Sequence, residues 1–313
     1  MERTEWLARR KSGIGGSEVA ALLGISPWKT ALDVYLDKIG EAAPTAENES
    51  MRIGTALEQF VADRFEQETG RKTSRFNGLL QVGHCIGNVD RLVVPEGARL
   101  GSHQNEIRTD ELLECKTSSH DWDEVPPHYL AQVQHYMGLD PHFRKATVAC
   151  LFLGFDKRFQ TYEVERDDGL IKSMQEAVEA FWRDHVEARV PPAPQTEEDC
   201  RRLWLAHEPG KVVEADELIA DIARDFMEVS QKIKTLEEEN SRRKEQLMSV
   251  MGDAETLMFG SEKLATWKNN KPSTKTDWAG LAMALDPTPD QIAAYTETKP
   301  GARVFRVAAK TAK

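Results

Sequence analysis

Leu112-Leu113-Glu114-Cys115-Lys116-Thr117 is the stretch on which the fold turns. Read as a strand, it alternates. Residues two apart share a face, so Glu114 and Lys116 point together while Leu113 and Cys115 point into the opposite layer. Other strand-like runs lie on both sides of it. Residues 79–94 read as two segments meeting near Gly87, and residues 146–153 and 159–164 as two more. A helical run over 127–139 separates the Glu-Cys-Lys strand from the next one. Helices are expected before the strands at 16–24, 30–39 and 48–69, and after them at 169–186. In the longest, Ile53, Leu57, Phe60, Val61 and Phe65 follow helical spacing and Gly70 closes it. Strands, a helix and more strands make an α/β fold, a mixed sheet with helices on its faces.

Further out, Pro191, Pro192 and Pro194 mark a boundary. We expect a first domain over 1–193 and a mainly helical extension over 194–313. The extension carries a heptad seam at Phe226, Val229, Ile233, Leu236, Asn240, Arg243, Leu247 and Val250. Asn240 takes a core slot and Arg243 is the weakest member. The pattern fits a helix packed on its own domain and an intermolecular coil equally. With 40% hydrophobic and 30% charged residues over 313 positions, the chain is globular rather than disordered. No apolar run is long enough to span a membrane, and we read no signal peptide at the N-terminus. Cys85, Cys115, Cys150 and Cys200 form no C-x-x-C pair, which points to a reducing, cytoplasmic setting.

Net charge is −11, which by itself argues against general coating of nucleic acid. Its distribution says more. Residues 1–193 and 194–262 each carry −8, and residues 263–313 carry +5. In that basic tail, Trp267 and Trp278 beside Lys268, Lys271 and Lys275 are candidates for stacking on single-stranded bases.

The chemistry lies with Glu114 and Lys116. A carboxylate beside an ammonium on a sheet face is a unit for phosphodiester hydrolysis: one holds a divalent metal, the other positions water or neutralises the transition state. A hard cation needs a second carboxylate. Asp90, in Gly87-Asn88-Val89-Asp90-Arg91, ends a neighbouring strand and can supply it. Glu58, in Gly54-Thr55-Ala56-Leu57-Glu58, sits on the long helix and can face the sheet. Gln132 and Tyr136 are four apart and so share a helical face. Gln132 can donate to a phosphate oxygen without changing the site's charge. The pieces are common singly: Glu297-Thr298-Lys299 repeats the first motif and Gln291/Tyr295 the second. The order Glu58, Asp90, Glu114/Lys116, Gln132 across helix, strand, strand and helix is specific. At the other end, Arg10-Lys11-Ser12-Gly13-Ile14-Gly15-Gly16-Ser17-Glu18 joins basic residues to a glycine-rich turn and a helix start, a place that favours anions. Arg10 and Ser17 are its candidates for gripping a terminal phosphate.

On these stretches the sequence resembles the phage lambda exonuclease and YqaJ-type viral recombinase nucleases of the PD-(D/E)XK superfamily, over roughly its first 165 residues. One departure is Val89, where that family has proline. The resemblance implies a restriction-endonuclease-like core with Mg²⁺- or Mn²⁺-dependent hydrolysis through two ions. It implies Asp90, Glu114 and the Cys115 carbonyl as metal ligands, Lys116 as catalytic lysine, Glu58 and Gln132 as further active-site residues, and Arg10 and Ser17 as the 5′-phosphate pocket. It also implies 5′→3′ digestion of one strand of linear duplex DNA, a homotrimeric ring, and an annealing protein that receives the 3′ single strand. The alternatives are a structure-specific or nicking endonuclease on the same core, and a non-catalytic DNA-binding recombination scaffold.

Overall fold

The computed structural model describes residues 11–42, 48–76, 78–97, 109–297, 301 and 304–305. Its centre is a five-stranded sheet in the order β1-β4-β5-β6-β7. These strands are β1 (Thr73–Ser74), β4 (Arg91–Val93), β5 (Glu111–Ser118), β6 (Lys145–Phe152) and β7 (Arg158–Glu165). β5 pairs antiparallel with β4 and parallel with β6, so the sheet is mixed. A parallel pair cannot be joined by a tight turn. Helix α4 (Pro127–Met137), with proline in its first turn, makes the crossover.

The alternation in β5 builds two cores. Leu112 joins Ala146 and Val148 against α4, α1 (Gly16–Leu22), α2 (Ala31–Ile39) and α5 (Asp168–Phe181). Leu113 and Ala149 meet Val61, Ala62 and Phe65 of α3 (Glu49–Thr69) on the other face. Phe65 is almost fully buried, and truncating such a side chain costs about 3–5 kcal/mol. α3 starts where Asn48 accepts the Met51 N–H and ends at Gly70 with φ 69°. A left-handed residue there is a common helix stop. α5 runs on as a π-helical turn, Trp182–Glu187.

Residues 79–94, expected as two strands, make three. β2 (Leu80–Val82) and β3 (Cys85–Gly87) close a hairpin apart from the main sheet, with Gly83 at φ 57° in its turn. The chain then breaks and re-enters the main sheet as β4. The N-terminal turn is stitched to this hairpin: Ile14 N–H donates to His84 O at 2.7 Å, and Ile14 O accepts from Ile86 N–H at 2.9 Å. A Cβ at position 13 would lie 2.5 Å from His84 O, so only glycine fits that approach.

The chain divides into two compact units, residues 1–203 and 204–313. The prolines are followed by one more helix of the first unit, α6 (Glu197–Leu203). Thr30 Oγ1 donates to the buried Asp199 at 3.0 Å, Ala31 N–H donates to Gln195 at 2.8 Å, and Arg202 pairs with Asp33. The second unit holds the 35-residue helix α7 (Glu217–Met251), the hairpin of β8 (Thr256–Phe259) and β9 (Glu262–Thr266), and short helices α8 (Trp278–Ala284) and α9 (Pro289–Ala294). Among the described residues no helix is long and apolar enough to cross a membrane.

Candidate active site

Register places the acids. Arg91 opposes Leu113 across β4 and β5, so the residue before Arg91 falls beside Glu114. Asp90 Oδ2 accepts the Cys115 N–H at 2.9 Å, which fixes the aspartate against the strand. Glu114 itself is 2% exposed. Its Oε1 accepts from Lys116 Nζ at 2.7 Å and from Gln132 Nε2 at 2.7 Å. Lys116 also donates to Gln132 Oε1 at 3.2 Å, and Gln132 Nε2 donates to the Tyr136 hydroxyl at 3.0 Å. Glutamate, lysine and glutamine therefore close a three-membered ring of hydrogen bonds. The Lys116 ammonium lies 4.6 Å from the centre of the Tyr129 ring. That cation–π contact holds the charge without consuming a donor.

The glycine-rich turn supports the ring from behind. A Cβ at Gly16 would lie 2.6 Å from the Tyr136 ring and 3.0 Å from Gln132 Cγ. α1 can press against α4 only because position 16 has no side chain.

The electrostatics are unbalanced. Glu114 Oε2 is buried and accepts no hydrogen bond among the described residues. Leaving such an atom unpaired is costly. Burial, then the neighbouring Glu114 carboxylate, push Asp90 up to about 8, with Glu58 adding a smaller push. Lys116 and the Cys115 N–H work against this without cancelling it. For Lys116, burial favours the neutral amine, but Glu114 and Asp90 overcome it and hold the pKa above the usual lysine range. Burial, then Asp90 and Glu114, drive the Cys115 thiol far up, so it is no nucleophile. Two repelling acids and an orphaned carboxylate oxygen leave a place for a cation. Hard divalent cations take oxygen ligands, and Asp90, Glu114 and the Cys115 carbonyl offer them. Among the described residues no group of three or more His, Cys, Asp or Glu side chains surrounds such a place. Any further ligands would be backbone, water or substrate oxygens.

The expected residues divide. Asp90, Glu114, Lys116 and Gln132 come together. Glu58 stands next to this group without bonding to it: Arg91 Nη1 donates to the Glu58 Oε1 at 2.7 Å and to the Asp90 carbonyl at 2.6 Å, and the Glu58 charge reaches Asp90. Arg10 lies outside the described residues. Ser17 is exposed in the first turn of α1. In the glycine-rich turn the Gly15 N–H donates to Glu18 Oε2 at 2.8 Å, and Lys38 holds the same oxygen at 2.8 Å.

Sequence reasoning missed Arg91, which is 3% exposed and bridges Glu58 and the Asp90 carbonyl. An arginine following the aspartate on a strand that faces a glutamate-bearing helix was the available signal. It also missed the aromatic rim. Exposed Trp28 meets His128 edge-on at 4.8 Å, and His128 lies 4.2 Å from Tyr129. No spacing in the sequence links position 28 to position 128.

Comparison with known proteins returns the same family on which the motifs converge. Residues 5–140 match the model of the YqaJ-like viral recombinase domain. Among solved structures, an alkaline exonuclease (LHK-Exo) from Laribacter hongkongensis is 21% identical. It covers 60% of this chain and 94% of its own, with TM-score 0.46. A phage related exonuclease from Haemophilus somnus 129PT is 13% identical, covers 56% and 95%, and has TM-score 0.43. The uncharacterized protein YqaJ of Bacillus subtilis (strain 168) is 33% identical over 293 residues, 88% of this chain and 87% of that protein. A match of that identity along nearly the whole of both chains, together with the domain match, decides the point: the chain belongs to the YqaJ-like viral recombinase family.

Proposed function

We propose that the chain is a metal-dependent deoxyribonuclease that digests one strand of linear duplex DNA from its 5′ end and leaves a 3′ single strand for an annealing protein. The observation that carries this reading is the orphaned Glu114 Oε2 beside Asp90, with Lys116 and Gln132 bonded to the other oxygen of the same carboxylate. Membership of a recombinase family supports it.

Asp90, Glu114 and the Cys115 carbonyl would hold Mg²⁺ or Mn²⁺, two ions in the full site. When bound there, the metal supplies Lewis acidity toward the phosphodiester and an acidified water. The chain's own residues do the rest. Lys116 keeps its proton and neutralises charge gathering on the phosphoryl oxygens. Gln132 fixes both partners, holding Glu114 Oε1 and receiving the Lys116 ammonium, so the lysine does not swing away. The Tyr129 ring beneath Lys116 narrows its position further. Arg10 and Ser17 would receive the 5′ phosphate, and each cut would present a new one. Glu58 would act through Arg91 on the Asp90 backbone rather than as a ligand. The working assembly in this reading is a homotrimer around the duplex.

The test is digestion of duplexes labelled at either end, with Mg²⁺ and with EDTA, beside a covalently closed circle. The expected result is Mg²⁺-dependent release from 5′-phosphorylated ends and an intact circle. Cleavage of the circle would replace the exonuclease with an endonuclease. No release of nucleotide from any substrate would leave a binding protein.

A further inference from the structure

The second unit contains a surface that the nuclease reading does not use. α7 runs 35 residues, about 50 Å. Along it, the positions alternately three and four apart from Ile219 to Val250 are apolar except Asn240 and Arg243. This stripe lies open: Phe226 is 50% exposed, Ile233 52%, Leu236 63% and Val250 77%. A helix of this length with a bare apolar stripe gains little from folding unless the stripe is covered. The hairpin that follows does not cover the stripe: Trp267 shares a concavity with Ser241, Lys244, Glu245, Met248 and Ser249, none of them a stripe position, although Lys244 flanks the stripe. Phe305 reaches the stripe at Phe226, with rings 5.8 Å apart.

The flanking residues say what covers it. In a parallel, in-register coil, the residue just before one core position meets the residue five further along on the neighbouring helix. Applied to α7, Lys232 meets the neighbour's Glu237 and Glu239 meets the neighbour's Lys244. Both charged pairs are of opposite sign. The remaining such pairs, Leu218 with Ala223, Asp225 with Ser230 and Gln246 with Met251, contain no repulsion. Asn240 in a core slot is a register device that works when it faces another polar residue, as it would face itself across a parallel seam. Arg243 opposes this, since it too would face itself. Glu239 lies 3.1 Å from it on the same helix and offsets part of that charge.

We propose that α7 self-associates: its apolar stripe is covered by the same helix of further copies of this chain, parallel and in register, in a two- or three-stranded coil. The proposal goes beyond the homotrimer of the nuclease reading by placing association on α7, and the readouts that separate the two are the Leu236→Cys cross-link and the change of mass on substitutions confined to α7.

The experiment uses the full chain in analytical ultracentrifugation and on non-reducing gels. Arg243→Leu should tighten association at least ~10-fold by removing the facing charges. Lys232→Glu should weaken it about fivefold, and Lys232→Glu/Glu237→Lys should restore it to within about twofold. Leu236→Cys should give a disulfide-linked dimer on mild oxidation, with the wild-type chain as control for its four native cysteines. Ile233→Asp, an exposed change that leaves the rest of the fold alone, should lower the mass. The proposal is overturned if the chain is monomeric throughout the micromolar range. It is equally overturned if Ile233→Asp leaves the mass unchanged and Leu236→Cys does not cross-link. A monomer would leave the stripe to a helix of some other protein.

Discussion

Glu111 and Glu114 stand three residues apart on β5, each 2% exposed, and their surroundings are opposite in kind. Glu111 is answered on every side. Thr147 Oγ1 donates to its Oε1 at 2.7 Å, Lys145 stands 3.1 Å from its Oε2, and Arg71 bonds the same oxygen. Burial favours the neutral acid there, but Arg71, Thr147 and Lys145 win and hold the carboxyl below its usual range. Glu114 has one oxygen answered and one left over, with a second carboxylate beside it. One strand thus carries a carboxylate that fastens the fold and another that the fold leaves unfinished. Buried charge on its own does not mark function. Incomplete compensation does.

The comparison can be broken most forcefully at the unfinished end. Glu114→Gln should lower Mg²⁺-dependent digestion by at least ~10³-fold, about 4 kcal/mol of transition-state stabilisation. It should leave Tm equal or higher, because the repulsion with Asp90 is gone. Millimolar Mg²⁺ or Mn²⁺ should raise the Tm of the wild type and not of this variant, since only the native state binds the ion. A Glu114→Gln variant that digests normally and still gains Tm with metal would remove the distinction between the two glutamates.

Glu111→Gln is the converse. It leaves Arg71 and Lys145 without their shared anion, and we expect a loss of about 2–4 kcal/mol in denaturant unfolding. Digestion by the folded fraction at low temperature should stay within about twofold. Acid sharpens the same contrast by a smaller amount. A carboxyl with a depressed folded-state pKa lends stability that is fully present above its unfolded value, near 4.3, and is lost as pH falls through the folded value. Unfolding free energy should therefore drop below about pH 4.5, and drop less steeply in Glu111→Gln. The smallest effect belongs to Tyr129→Leu, which removes the ring beneath Lys116. A loss of about three- to tenfold in digestion with unchanged circular dichroism is expected.

The sequence was most informative where strand periodicity and chemistry coincide. The alternation at Leu113, Glu114, Cys115 and Lys116 sorted two cores from one charged face, and the structure puts those residues on those sides. Val89, where the resemblance would have a proline, is 2% exposed and packs in the core that holds Leu112. Isolated motifs were uninformative for physical reasons. Gln291 shares the Gln132 spacing to a tyrosine, yet it closes a capping box with Thr288, because it stands three residues past a helix start instead of over a sheet. Glu58 was legible as a helix carboxylate near the strands but not as a partner of Arg91. That partner comes from β4, 33 residues further along the chain. The β2–β3 hairpin was hidden because a three-residue strand is too short to show a period. Glu111 gave no signal at all, since its three partners lie 36, 34 and 40 residues away.

The bare α-carbon of Gly16 has a consequence for how such chains drift. With the Tyr136 ring 2.6 Å and Gln132 Cγ 3.0 Å from where a methyl would start, the three positions share one small volume. A relative that gains a side chain at position 16 has to give up bulk at 136 or move the helix that carries 132. A side chain introduced at position 16 alone is therefore expected to displace the tyrosine and the glutamine together, and a smaller residue at 136 to relieve it.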